Sequence, residues 1–313
     1  RGYGRPDGRL LRQTFRKKIE MAVIAQSNAD LPRLGILMML VAWFIFSFVD
    51  TGAKWLAVAG IPAFQLAFMR YAGHFGISIA MIARGGITAD RFKTDHLWAV
   101  VSRAVLLVTA TLSNFYALQF LPLTVVSAIV FSSPVIVCFL SIYMLGERVG
   151  PWRWGAILLG FIGVLIVVRP FGTTFHPAVL MIVYNATALA FYSMMTRKLS
   201  GIVAVETMQF YMGLVGTLLM LPFAIWTWVQ PETSFGMLVL IALGIFGWAG
   251  HQLLTNAHRF GTANQLMPFT YSFLIYVAIW GYLFFGTIPD FWTMIGAIVI
   301  MCAGLIIWKR EQR

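Results

Sequence analysis

Thr124 to Arg169 reads TVVSAIVFSSPVIVCFLSIYMLGERVGPWRWGAILLGFIGVLIVVR. Two apolar runs flank the polar turn Gly146-Glu147-Arg148-Val149-Gly150-Pro151. As helices, runs of about 20 apolar residues cover the roughly 30 Å hydrocarbon core of a bilayer. So short a turn between them makes a hairpin of membrane helices. A related stretch, Asn264 to Arg310, closes the chain, with Gly286-Thr287-Ile288-Pro289-Asp290 between two further apolar runs. Gly155, Ala156, Ile157 and Gly163 of the first hairpin find counterparts in Gly296, Ala297, Ile298 and Gly304 of the second. The chain therefore reads as two copies of one unit, each ending in this hairpin.

Composition agrees. The chain is 60% hydrophobic and 11% charged, with a mean hydropathy of +0.82, whereas soluble domains carry about 25% charged residues. The net charge of +12 raises the question of nucleic acid, but the Lys and Arg residues gather in the tail and in alternate loops, as membrane topology requires. Cys138 and Cys302 each lie inside an apolar run, and no metal-ligand spacing or catalytic motif occurs. An enzyme or lipid-handling protein of the membrane is the competing class, and it lacks any catalytic constellation.

Outward from the hairpins, residues 1–33 form a basic tail, read as disordered, with a weak amphipathic surface helix over Leu10, Leu11, Phe15 and Ile19 as the alternative. Ten spans follow: 34–56, 63–83, 97–119, 123–145, 152–169, 178–196, 204–228, 235–257, 262–285 and 291–308. With the N-terminus inside, the inner segments hold Arg84, Arg91, Lys93, Arg148, Arg153, Arg197, Lys198, Arg259 and Lys309, and the outer ones only Arg169, with Lys54 at a helix end. That asymmetry predicts both termini in the cytoplasm. Five spans per half make the halves opposite in orientation, an all-α fold of two inverted five-helix repeats (34–169 and 178–310) that suits a transporter with a midplane site.

Several stretches carry a family resemblance. They are Asp50-Thr51-Gly52-Ala53-Lys54-Trp55-Leu56, Phe68-Met69-Arg70, Asn114-Phe115-Tyr116-Ala117-Leu118, Leu145-Gly146-Glu147-Arg148, Gly250-His251-Gln252-Leu253-Leu254 and Pro268-Phe269-Thr270-Tyr271. Over residues 34–310 the chain resembles the EamA branch of the drug/metabolite transporter superfamily. Thr287 departs from the pattern, since the second hairpin of the family often carries an acidic residue there. The resemblance implies a ten-helix carrier of small organic solutes in a bacterial inner membrane, often an exporter.

Ionisable residues inside spans are costly and point to function. Asp50 and Lys54 share a helix face; they either meet the charged ends of a solute, gate the mouth, or form an internal ion pair. Arg70 and His74 repeat the spacing, with Arg70 read as a partner for Asp50 or for an anionic solute. Arg103 is read as snorkelling or capping a neighbouring helix end, with contact to the solute as the lesser alternative. The expected solute-binding residues are Asn114, Tyr116, Asn185, Tyr192, His251 and Tyr271, with Trp248 and Tyr276 nearby. Pro134 and Pro268 are expected to kink matching helices beside the cavity. That lining suits an amphipathic solute: an amino acid first, an aromatic one foremost, and a flavin-, nucleoside- or S-adenosylmethionine-like heterocycle second. A sugar phosphate is disfavoured because Arg70 is the one deep cation foreseen. The expected partners are that solute, the bilayer and protons as coupling ion, in a monomer or weak homodimer, with no cofactor, metal or nucleic acid.

Overall fold

A computed structural model describes the backbone of residues 8–84, 92–145, 150–169, 175–199, 202–260, 266 and 269–311, and the side chains of most of these. The described chain is helical: α1 Gly8–Val58, α2 Ala63–Arg84, α3 Leu97–Leu118, α4 Leu123–Val130, α5 Ser133–Leu145, α6 Pro151–Val168, α7 Ala178–Leu199, α8 Val205–Trp226, α9 Ser234–Phe260, α10 Ser272–Phe285 and α11 Phe291–Glu311. Among the described residues, eight stretches are long and apolar enough to cross a bilayer, and two shorter apolar helices, Trp154–Val168 and Ser272–Phe285, complete ten. The protein is a multi-pass membrane protein. Its outer faces carry Leu158, Phe161, Leu218, Leu238 and Ile298 exposed, as acyl chains require.

The tail differs from the expected disorder. Helix α1 runs back without interruption to Gly8; Leu10, Leu11, Arg12, Gln13, Arg16, Lys17 and Lys18 are all good helix formers.

The fourth expected span is two helices. The break falls at Phe131–Ser132, just before Pro134. Proline lacks the N–H that would bond the carbonyl four residues back, and the Ser132 hydroxyl donates to the Ile129 carbonyl at 2.6 Å. The ninth span repeats the arrangement. Tyr271 interrupts it, and the Ser272 hydroxyl donates to the Phe269 carbonyl at 2.7 Å. Pro268 lies outside the described residues.

Helix contacts come in matched sets. α1 packs on α9 as α3 packs on α7, and α2 on α9 as α8 on α3. α1 meets α10 as α7 meets α4 and α5, while α2 meets α8 and α6 meets α11 across the centre. Each pair maps onto its mate when the first five spans are exchanged with the last five, which is the contact pattern of two repeated halves. Glycine permits a close crossing: a Cβ on Gly163 would stand 3.1 Å from the Gly296 carbonyl oxygen, so α6 and α11 approach backbone to backbone. These helices run antiparallel, and their ends are joined by an Arg169–Asp290 ion pair at 2.5 Å.

Candidate functional site

The spans surround a polar layer. Its residues come from α1, α2, α3, α7 and α9, whose mutual packing was described above. On α3, Arg103, Leu107 and Thr111 recur every four residues, which places them on one face, with Asn114 close to the same line. On α2, Arg70 and His74 do the same. The two faces meet.

At their meeting Arg70 donates to Thr111 Oγ1 at 2.5 Å, and Tyr71 Oη lies 2.7 Å from the same oxygen. Arg70 also stands 3.4 Å from His251 Nε2. Arginine has only donors, so that nitrogen accepts, and the ring proton resides on Nδ1. Gly247 makes room for this: a Cβ there would lie 3.3 Å from Arg70 Cγ and Nε. Asn114 Nδ2 donates to Asp50 Oδ1 at 3.1 Å, and the Asp50 carboxylate is within electrostatic reach of Arg70. His74 faces His251 with ring centroids 6.1 Å apart. Asp50, Arg70, Tyr192 and His251 keep partial exposure although they sit deep within spans, as residues lining a hollow do.

One wall of this layer is aromatic. From His251 the rings run through Phe46 (5.0 Å), Trp43 (5.7 Å) and Phe131 (5.6 Å) to Tyr271 (5.5 Å). The rings meet edge-on or tilted; Phe46, Trp43 and Tyr271 keep partial exposure beside the charged and amide groups, while Phe131 is buried.

The structure departs from several expected pairings. Asp50 and Lys54 do not form an ion pair. Lys54 Nζ turns to the carbonyls of Leu118 (2.9 Å), the last residue of α3, and Leu121 (2.8 Å), just past it, and lies 5.4 Å from the Phe285 ring. Free carbonyls at a helix C-terminus attract a cation, and they outcompete a carboxylate already held by Asn114. Arg70 likewise bonds Thr111 and His251 rather than pairing directly with Asp50.

Arg103 does not snorkel. It is 4% exposed, donating to Thr196 Oγ1 at 2.6 Å and to Tyr192 Oη at 2.7 Å. A second deep cation therefore joins Arg70, which removes the premise that Arg70 stands alone. Asn185 donates to the Ala110 carbonyl at 2.6 Å and ties α7 to α3. Tyr116 is 45% exposed beside Phe120, apart from the layer. Tyr271 closes the far end of the aromatic row. The layer also includes Thr111, Phe46, Trp43 and Phe131, which sequence reasoning did not select. Only the four-residue spacing from Arg103 to Thr111 signalled any of them.

The sequence profile of the EamA-like transporter family matches twice, over residues 33–169 and 176–309. The chain belongs to the EamA-like transporter family. Its fold class is the one the hairpins and inverted halves predict, and members of this family are carriers, not enzymes. An S-adenosylmethionine uptake transporter of Rickettsia prowazekii is 28% identical over 278 residues, 87% of this chain and 93% of that protein. A riboflavin transporter of Rhizobium johnstonii is 28% identical over 281 residues, covering 90% and 92%. A pseudopaline exporter of Pseudomonas aeruginosa is 28% identical over 284 residues, covering 90% and 99%. A solved structure, described only as a protein, superposes with a TM-score of 0.61 at 17% identity over 91% of this chain and 99% of its own, which shows the shared fold. As an EamA-like protein the chain is a small-molecule transporter of the membrane; an amino acid as its solute finds no support among these relatives.

Proposed function

We propose that the protein carries a cofactor-like heterocycle bearing a charged tail, by alternating access across a bacterial inner membrane. The observation that carries this reading is the aromatic row from Tyr271 to Phe46 ending on the Asp50–Asn114 and Arg70–Thr111–His251 contacts. A flat ring system buries area against aromatic faces, while one carboxylate and one guanidinium within the same hollow orient opposite charges of the tail. S-adenosylmethionine, named for the Rickettsia prowazekii relative, joins a purine to an amino-acid tail; riboflavin, named for the Rhizobium johnstonii relative, is a flat heterocycle. An aromatic amino acid meets the same groups but leaves most of the aromatic row unfilled, so it stands second.

In this reading residues 34–169 and 178–310 are the two repeats, which rock against each other around the site. Residues 1–33 form a cytoplasmic tail, and both termini lie inside. Protons are the proposed coupling ion, with Asp50 and His251, and His74 behind His251, as the proton-sensitive groups. The direction of transport stays open between the uptake and export for which the relatives are named.

The test is uptake by proteoliposomes of radiolabelled S-adenosylmethionine, riboflavin, phenylalanine and tryptophan, with and without a pH gradient. Saturable uptake of a heterocycle that phenylalanine does not inhibit supports the reading. Uptake of the amino acids alone defeats it.

A further inference from the structure

Among the described residues, Arg103 is a buried cation without a counter-ion. Its Nε is taken by Thr196 and its Nη2 by Tyr192, but Nη1 is buried and has no partner. No Asp or Glu among the described residues pairs with it. Arg70 differs, since the Asp50 carboxylate lies within its electrostatic reach. The Cζ of Arg103 lies over the Tyr192 ring, 4.4 Å from its centroid, and the hydroxyl of that ring accepts from Nη2. Two of the three guanidinium nitrogens are thus held and the third is left over.

The physical argument is one of charge. A water molecule satisfies an N–H but leaves the charge uncompensated in a medium where an isolated ion costs several kcal/mol. An anionic oxygen satisfies both. His251 lies within electrostatic reach of Arg103 as well as of Arg70, so the field between the two arginines is cationic and Asp50 offsets only one of them. Along α3, Arg103 stands eight residues from Thr111, about 12 Å at the helical rise.

Resting on the proposed heterocycle carrier, we infer that Arg103 and Tyr192 form an anion subsite that takes a carboxylate or phosphate group of the solute. Asp50 remains for a cationic group of the solute, while Arg70, already offset by Asp50, keeps its Thr111 and His251 contacts. The subsite makes the protein selective for heterocycles with an anionic tail over the same heterocycles without one. An inorganic anion has the same chemistry, and the experiment separates the two sources.

Binding to the purified full chain is measured for S-adenosylmethionine against its decarboxylated analogue, and for riboflavin 5′-phosphate against riboflavin. The expected result is a preference of about tenfold for the anion-bearing member of at least one pair, the worth of one charge-assisted hydrogen bond. Arg103→Gln brings that ratio to within about twofold of unity, Tyr192→Phe lowers it part-way, and Arg103→Lys restores part of it. If Arg103→Gln fails to fold, the Tyr192→Phe and Arg103→Lys ratios decide, and a ratio unmoved in both overturns the inference. Heterocycle binding with no anion preference also overturns it, while the carrier reading stands. If no heterocycle binds, thermal unfolding with sodium phosphate at constant ionic strength decides. Stabilisation of the parent but not of Arg103→Gln keeps an inorganic-anion subsite and defeats the heterocycle reading. Equal response of the two defeats both.

Discussion

Phe131 and Tyr271 face each other with ring centroids 5.5 Å apart, and each is the residue at which its membrane helix breaks. Their backbones match as well, φ −71° and ψ 1° at Phe131 against φ −68° and ψ −12° at Tyr271. Each is followed by a serine whose hydroxyl bonds the carbonyl three residues back. The two broken helices thus present equivalent points to one another where the halves meet. Unwound backbone inside a bilayer is tolerated where protein or a cavity covers it, and this pair is such a place.

The Tyr271 hydroxyl rests directly against Gly304, where any Cβ would collide with it. Gly304→Ala is expected to destabilise the protein by about 1–3 kcal/mol through overpacking. Adding Tyr271→Phe should recover most of that loss, because the colliding oxygen is gone. Thermal unfolding of the two single variants and the double variant is the check; equal, additive losses would refute the contact.

Lys54 holds the carbonyls at the end of α3. Lys54→Met removes the donor and leaves the Leu118 and Leu121 carbonyls buried and unpaired, at a cost of about 1–3 kcal/mol. Lys54→Arg should keep most of the stability. If Lys54 instead served an ion pair with Asp50, Asp50→Asn would lose as much stability as Lys54→Met, and melting curves compare them directly.

Asp50 is the carboxylate of the polar layer. Asp50→Asn can keep a hydrogen bond to Asn114 but leaves Arg70 unbalanced. Transport of the best solute is expected to fall at least about tenfold at equal expression, the scale of one lost charge-assisted contact. Wild-type rates in the variant would remove Asp50 from the site.

The Arg169–Asp290 link carries a pH signature. Burial alone would raise the Asp290 carboxyl from its ordinary 3.8, but hydrogen bonds from the Thr293 side chain and backbone, then Arg169, outweigh it and hold the group lower. A depressed carboxyl contributes stability in full above its unfolded value and loses it as pH falls through the folded one. The contribution therefore disappears below about pH 4, and it is small, about 1 kcal/mol or less, because the pair is exposed. Asp290→Asn should flatten the melting temperature over that window; an unchanged acid slope would show that Asp290 does not set it.

Membrane sidedness is tested by single cysteines in 84–96 and 171–177. An impermeant thiol reagent should label the two from opposite faces, the first from the cytoplasm. Labelling from one face would end the ten-span arrangement.

Hydrophobic run length, the two hairpins and the alternation of Lys and Arg made the membrane class, the span number and the doubled unit legible in the sequence. These are properties of the chain against its solvent: a bilayer demands apolar runs of set length whatever they pack on. The residues worth watching were legible too, since an ionisable group in a span is conspicuous by its cost. Their partners were not. Asp50 and Lys54 share a helix face, yet Lys54 turns to carbonyls sixty-odd residues away and Asp50 to Asn114. Arg103 looked like an interfacial cation by its position near a helix start, and only the approach of α7 supplied Tyr192 and Thr196 to bury it. Three separate helical segments had to come together before Phe131 could reach both Trp43 and Tyr271. Spacing along one helix says which side chains share a face; which face meets it, and so which charge is answered and which is left for a solute, is decided by packing between helices.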